Sequence, residues 1–461
     1  MGRGRKPNRY AKISATVLVL SAGSVFAQTP DGPITASVSL TTSIDANTNK
    51  FLDAVSPGTT VDISEQLSFS LVTRNSLQLL EISGSASLNF DDIGSGASAD
   101  FRPPTVTLHY ARDTGNSNLD ASASYWNDTI VSSFDLDPTE AVFIIVDTGT
   151  LTIIGADLAF NTGVDAPLGF SFTASYKDND YDGTNPLNLA LFDSTTAKIG
   201  ASAKLRLSPT TQGTLSASFT DFESSAMPPR ATKIQTTVYN FGVSHAATPA
   251  LTIDGNIGFR DEETNLGGAP TTIDGNFGGI GVVRDLPRGT IFGRAKVDDS
   301  GSATSKSLTF GGTLDIEDGT LTASLEADKT EGNDVQLLGN VAFKRELPSG
   351  SVTVDLSQSL STDSLDQDIK VSSLGIDYNR TLAGDAGLNL AFDISRSEDA
   401  GAGSAETLNR ATVSATYSQE LTSDWDLLLG YSHRLSSGSA VATANSDSIF
   451  LTLTRSIQFG F

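Results

Sequence analysis

Along most of the chain apolar and polar residues alternate with period two. In DAGLNLAFDIS, Leu388, Leu390, Phe392 and Ile394 hold one phase, and Asn389, Ala391, Asp393 and Ser395 hold the other. SVTVDLS sets Val352, Val354 and Leu356 against Thr353, Asp355 and Ser357, and TLTASLEAD and LTIDGNIGF follow suit. That period places the two sets on opposite faces of β-strands. From about Gly163 onward the strands, each about ten residues long, come in pairs. Compact turns such as SPTTQG, DLPRG, ELPSG and LTSD join the two strands of a pair; longer acidic, Gly/Ser-rich stretches such as RDEETNLGGAPTT and SRSEDAGAGSAETLN separate the pairs. Less regular segments at 34–44, 59–73, 78–90, 105–112 and 119–127 extend the series to roughly 18–22 strands, with 22 the best count. The stretch 127–149 fits either a folded loop or one more hairpin.

Such alternation suits a soluble β-sandwich as well as a membrane barrel. Three features favour the barrel. The first 27 residues pair a basic segment (Arg3, Arg5, Lys6, Arg9, Lys12) with a short apolar run ending at Ala27, the pattern of a cleaved secretory signal rather than of a spanning helix. Short and long connections alternate strictly, as in barrels with short periplasmic turns and long extracellular loops. Phe219, Tyr239, Phe259, Phe277, Phe392, Tyr417, Trp425 and Tyr431 fall on the apolar phase, several near strand ends, as interfacial girdles require. The expectation is an all-β fold: one transmembrane antiparallel up-and-down barrel over 28–461 behind a signal peptide at 1–27.

Composition narrows the chemistry. The chain has no Cys, which excludes disulfides, thiolate metal sites and thiol nucleophiles. Its formal charge of −24 argues against nucleic acid as a partner.

The closing segment SIFLTLTRSIQFGF puts Ile449, Leu451, Leu453, Ile457, Phe459 and Phe461 on one phase, interrupted by Arg455. With the export signal and the hairpin rhythm, this terminus resembles the outer-membrane β-barrel proteins of Gram-negative bacteria, and among them porin-like barrels, including those associated with exopolysaccharide export. The resemblance implies outer-membrane lipid and lipopolysaccharide as surroundings. It also implies that the barrel-assembly machinery reads Phe459 and Phe461 as its signal. The function expected is a porin-like channel for passive diffusion of small hydrophilic solutes, without enzymatic activity. Alternatives are a conduit or anchor for exopolysaccharide or surface assembly, and a closed structural or adhesive barrel. Strands begin soon after Ala27, which argues against an energised transporter with an N-terminal plug.

The polar phase supplies channel-lining candidates: His109, Lys204, Arg206, Asp254, Asp274, Arg294, Lys296, Asp315, Glu326, Lys344, Asp355, Asp377, Asp393, Arg410 and Asp426. These are nearly balanced in charge, so the excess acid is assigned to loops, for example Asp261, Glu262, Glu263, Asp298, Asp299, Glu398 and Asp399. Such a mouth either gives a weak cation preference by focusing or keeps the surface solvated and binds divalent ions. Of the three His residues only His109 is on the polar phase, without a catalytic constellation around it. The segment DNDYDG offers Asp178, Asp180 and Asp182 before Gly183, the opening of a calcium loop. Its twelfth position is Leu189 rather than Glu, so it is either a weak Ca²⁺ site on an extracellular loop or a solvated acidic turn. No other cofactor is expected.

Overall fold

A computed structural model describes residues 34–50, 52, 54–56, 58–91, 98–130, 149–183, 193–224, 232–265, 270–299, 303–332, 334–362, 368–399, 407–439 and 443–460. The signal segment 1–27, most of the 127–149 stretch and Phe461 lie outside these residues. The described residues form twenty-two strands. They are β1 Ile34–Asn47, β2 Thr60–Arg74, β3 Gln78–Asp91, β4 Ser98–Asp113, β5 Ser117–Ile130, β6 Gly149–Thr162, β7 Leu168–Gly183 and β8 Ser194–Arg206. Then come β9 Thr211–Ser224, β10 Thr232–Thr248, β11 Leu251–Asn265, β12 Thr271–Leu286, β13 Gly289–Asp299, β14 Thr304–Ile316 and β15 Gly319–Thr330. The last are β16 Gln336–Leu347, β17 Gly350–Thr362, β18 Asp368–Thr381, β19 Ala386–Asp399, β20 Thr407–Thr422, β21 Trp425–Gly438 and β22 Ala444–Gly460.

Each strand pairs antiparallel with its successor, and β22 closes the sheet on β1 with Phe459 opposite Ala36 and Ile457 opposite Val38. The closed ring is an up-and-down barrel that leaves no sheet edge for lipid to meet. The connections on one rim are tight, at 249–250, 287–288, 317–318, 348–349 and 423–424, while those on the other include 48–59 and 184–193. Tight turns demand left-handed backbone: Asp318 has φ 59° in the β14–β15 turn, and Gly289 has φ +124° beside the β12–β13 turn. The strands run longer than read, β4 most of all: expected at 105–112, it spans Ser98–Asp113, and its pairing with β3 slips between Ser85 and Ser87, opposite the Pro103–Pro104 pair that supplies no ladder N–H.

The hydrophobic face points outward. Exposed on one phase are Val38 and Leu40, Leu67 and Phe69, Ile257 and Phe259, Leu308 and Phe310, and Ile449 and Leu451, so the apolar surface forms a continuous band around the wall. Water would not tolerate such a band; hydrocarbon requires it. No helix among the described residues is long and apolar enough to cross a membrane, and the crossing falls to the strands.

Candidate functional site

The inner wall is where chemistry can be placed, and register fixes which residues reach it. Residues paired directly share a face with their partners, so each row can be followed from strand to strand. The register puts His109, Lys204, Arg206, Asp254, Arg294, Lys296, Asp315, Glu326, Lys344, Asp355, Asp377, Asp393, Arg410 and Asp426 on the face opposite the apolar band.

Asp274 is the exception. It pairs with Asp261 on the outward face, beyond the band, and Phe277 takes the inward position instead. The apolar phase of TTIDGNFGGIGVV changes across its glycines: Ile273 and Phe277 belong to one set, Ile280 and Val282 to the other. Gly258 gives the Phe277 ring room to lie flat against the inner wall, where a Cβ would collide with it. Arg260 stacks over that ring at 5.9 Å from its centroid and reaches Asp298 at 3.2 Å. Beside it Asp254 leans over Gly281, and Arg294 stands on Phe292 at 5.1 Å.

The wall is therefore sectored. His109 Nε2 meets Asp120 Oδ2 at 2.9 Å, and Lys344 pairs with Glu346 at 2.8 Å. Arg206 reaches the Asp165 carbonyl at the tight-turn rim. At mid-height across β1–β4 the inner face is built of hydroxyls: Ser39, Ser68, Ser85 and Thr105 form one row, Ser37, Ser70, Ser83 and Thr107 the next, flanked along the strands by Asp45, Asp62, Glu81 and His109.

Two expectations about acidic residues change. Asp178, Asp180 and Asp182 lie within strand β7 rather than on a loop. All three are on its outward face, in the phase of Phe170 and Phe172. Alternate strand residues are about 7 Å apart, whereas calcium needs oxygens within about 2.3–2.6 Å of one point. Asp178 accepts a hydrogen bond from Thr195 Oγ1 at 2.8 Å, and no grouping that could hold a metal occurs among the described residues. Likewise Asp261, Glu262, Glu263, Asp298 and Asp299 belong to strands, because the hairpins rise beyond the lipid band before they turn. Outside that band Glu223 bonds to Lys233 and, with Asp221, raises the pKa of its ammonium above the usual lysine value.

The feature that sequence reasoning missed is the β1–β2 connection. Thr48 N–H donates to the Asp447 carbonyl, and Asp447 N–H donates back to Thr48 Oγ1, each at 2.9 Å. Asn49 Nδ2 donates to the Asn445 carbonyl at 3.0 Å, Ser446 Oγ to Asn47 Oδ1 at 2.7 Å, and Arg434 Nη2 to the Lys50 carbonyl at 3.4 Å. Lys50 is also paired with Asp62 at 2.8 Å. These bonds turn the chain inward, and Leu52, at φ 54°, lines a lumenal cavity with residues of β17–β21. Near it the inner wall turns apolar and closed: Ile369 is 3% exposed, Val371 4% and Leu408 8%. A signal existed in NTNKFLDAVSPGTT, which sets Phe51, Leu52 and Val55 among polar residues.

No protein-family model and no curated protein matches the chain. Solved structures do. A mutant of the ferric enterobactin receptor PfeA from Pseudomonas aeruginosa, in complex with enterobactin, aligns at TM-score 0.59 and 11% identity over 93% of this chain and 82% of its own. The siderophore receptor PirA from Acinetobacter baumannii aligns at 0.59 and 9% over 93% and 81%. The FrpB iron transporter from Neisseria meningitidis aligns at 0.64 and 8% over 91% and 81%. At these identities the likeness is one of fold. With the closed ring and its apolar belt, it makes the chain an outer-membrane β-barrel of the Gram-negative class.

The comparison overturns the passive-porin expectation. The matched barrels are receptors and a transporter, and open aqueous porins are built from about 16–18 strands rather than 22. The porin reading and its alternatives of a polysaccharide conduit or inert barrel are set aside together.

Proposed function

We propose that the chain is a selective outer-membrane transporter of the receptor type, taking up a small ligand through a lumen held partly shut at rest. The supporting observation is the inward β1–β2 connection, pinned to β21 and β22, beside which lumen-facing Ile369, Val371 and Leu408 are buried. Strand number gives this weight. With strands about 4.8 Å apart and tilted about 40°, a 22-strand ring is about 40 Å across between backbones. An unfilled lumen of that width would be a leak rather than a filter, and barrels of about 22 strands serve as transporters with plugged lumens.

Under this proposal lipid and lipopolysaccharide surround the belt, and the assembly machinery reads the β22 terminus through Phe459 and Phe461. The first 27 residues are removed on export. The lumen residues bind and orient a solute, and no covalent chemistry is assigned. Vesicles carrying the full chain should fail to swell in isotonic neutral sugars of graded size. Swelling that slows smoothly with solute size would describe a sieving pore and refute the proposal.

A further inference from the structure

The cavity under the β1–β2 connection has about 400 Å³ of space, within the range of small-ligand pockets. Its charges are segregated. One row of direct pairings runs Asp355, Gly375, Asp393, Thr412, Arg434, Ser446 across β17–β22. Asp377 lies on β18 two residues from Gly375, and Arg410 on β20 two residues from Thr412. The carboxylates Asp355, Asp377 and Asp393 thus occupy β17–β19, and the guanidiniums Arg410 and Arg434 occupy β20 and β21. Among the described residues none of these three carboxylates has an ion-pair or hydrogen-bond partner. Leu52 and Val371 add apolar wall to the cavity.

A second observation lies at the basic end. Ser436, on the same face two residues beyond Arg434 and opposite Arg410, is 2% exposed, and its hydroxyl has no partner among the described residues. A buried hydroxyl is rarely left unsatisfied; this one stands beside the guanidiniums but outside the cavity lining. Asp393 and Arg434 are two strands apart, a backbone separation of about 10 Å. A short alkyl chain with opposite charges at its ends spans that gap once the side chains reach inward.

We propose that this cleft binds a small zwitterion of the amino-acid class. Its ammonium sits among Asp355, Asp377 and Asp393, its carboxylate meets Arg410 and Arg434, and its alkyl part lies on Leu52 and Val371. The inference rests on the receptor reading above and supplies its ligand class.

The test is equilibrium binding of three linear probes to the full chain in lipid nanodiscs: 6-aminohexanoate, 1,6-diaminohexane and adipate. The zwitterion should bind about tenfold or more tighter than either like-charged probe, because only it pairs both ends. Arg434→Gln should remove that preference while leaving diamine binding intact, which also reports a folded cleft. Asp393→Asn should weaken the zwitterion and the diamine but not adipate. Equal affinity for all three probes, tighter binding of the diamine, or the same loss from the distant Asp315→Asn would overturn the assignment. An unobstructed, size-sieving barrel that still selects the zwitterion would refute the receptor reading alone. A closed barrel that ignores the zwitterion would refute only the ligand class.

Discussion

Leu325 and Ser324 are neighbours on β15 at nearly one height in the membrane, and the fold requires them to answer oppositely to the same substitution. Leu325 is 59% exposed and faces outward opposite Phe310. Lys329, four residues further on the same face, pairs with Lys306 and marks the edge of the belt. With a rise of about 3.3 Å per residue and a tilt near 40°, Leu325 lies about 10 Å below that edge in a belt about 25 Å tall. Arginine near the midplane costs about 2–4 kcal/mol, so Leu325→Arg should shift the folding equilibrium about 30- to 700-fold. Ser324 faces the lumen, where it donates to Asn340 Oδ1, with Glu326 on the same face. Ser324→Arg forfeits one hydrogen bond, about 1 kcal/mol, and gains a carboxylate neighbour. Urea unfolding from phospholipid vesicles, followed by gel mobility and tryptophan fluorescence, measures both. Equal losses, or a larger loss at Ser324, would mean that the faces are assigned the wrong way round.

Three further outcomes follow from particular residues. Gly289→Ala should cost about 1–3 kcal/mol, because φ is +124° and a Cβ would strike the Thr313 carbonyl. Gly384→Ala, at φ +74° with open space around it, should cost only the left-handed penalty of about 1–2 kcal/mol in the same denaturation series. Protein isolated from outer membranes should begin at Gln28 by N-terminal sequencing; a chain retaining Met1 would refute the export signal. Deleting Phe461 should lower the amount of folded barrel in cells several-fold while leaving refolding from urea unchanged, as a terminus read by assembly machinery requires.

The strand count was legible because hydrocarbon outside and water inside impose opposite polarities on alternate residues, and because the turns alternate in length. The closing strand was legible for the same reason, with Arg455 explained by its place over Trp425 at 5.6 Å. Asp274 was misread because Gly275, Gly278 and Gly279 carry no polarity, so the phase had to be taken from Phe277, which the bare backbone of Gly258 lets turn inward. Asp178 was misread because an acidic strand above the lipid looks like a loop: charge marks the end of the membrane, not the end of the strand. The inward β1–β2 connection is written in side-chain bonds between Asn47, Asn49, Arg434 and Asn445, residues hundreds of positions apart, which no local pattern reveals. Alternation also says which face a residue occupies but not its neighbours across strands, and so the opposition of Asp355 and Asp393 to Arg434 appears only once the register is known.

On the proposed reading this barrel is held partly shut from within rather than standing open. Single-channel recording of the full chain in planar bilayers tests it most directly when set beside a variant whose residues 50–57 are replaced by a short Gly/Ser linker. The intact protein should give a closed baseline with brief openings, and the variant a steady and larger conductance. Steady conductance of the same size in both would contradict the claim.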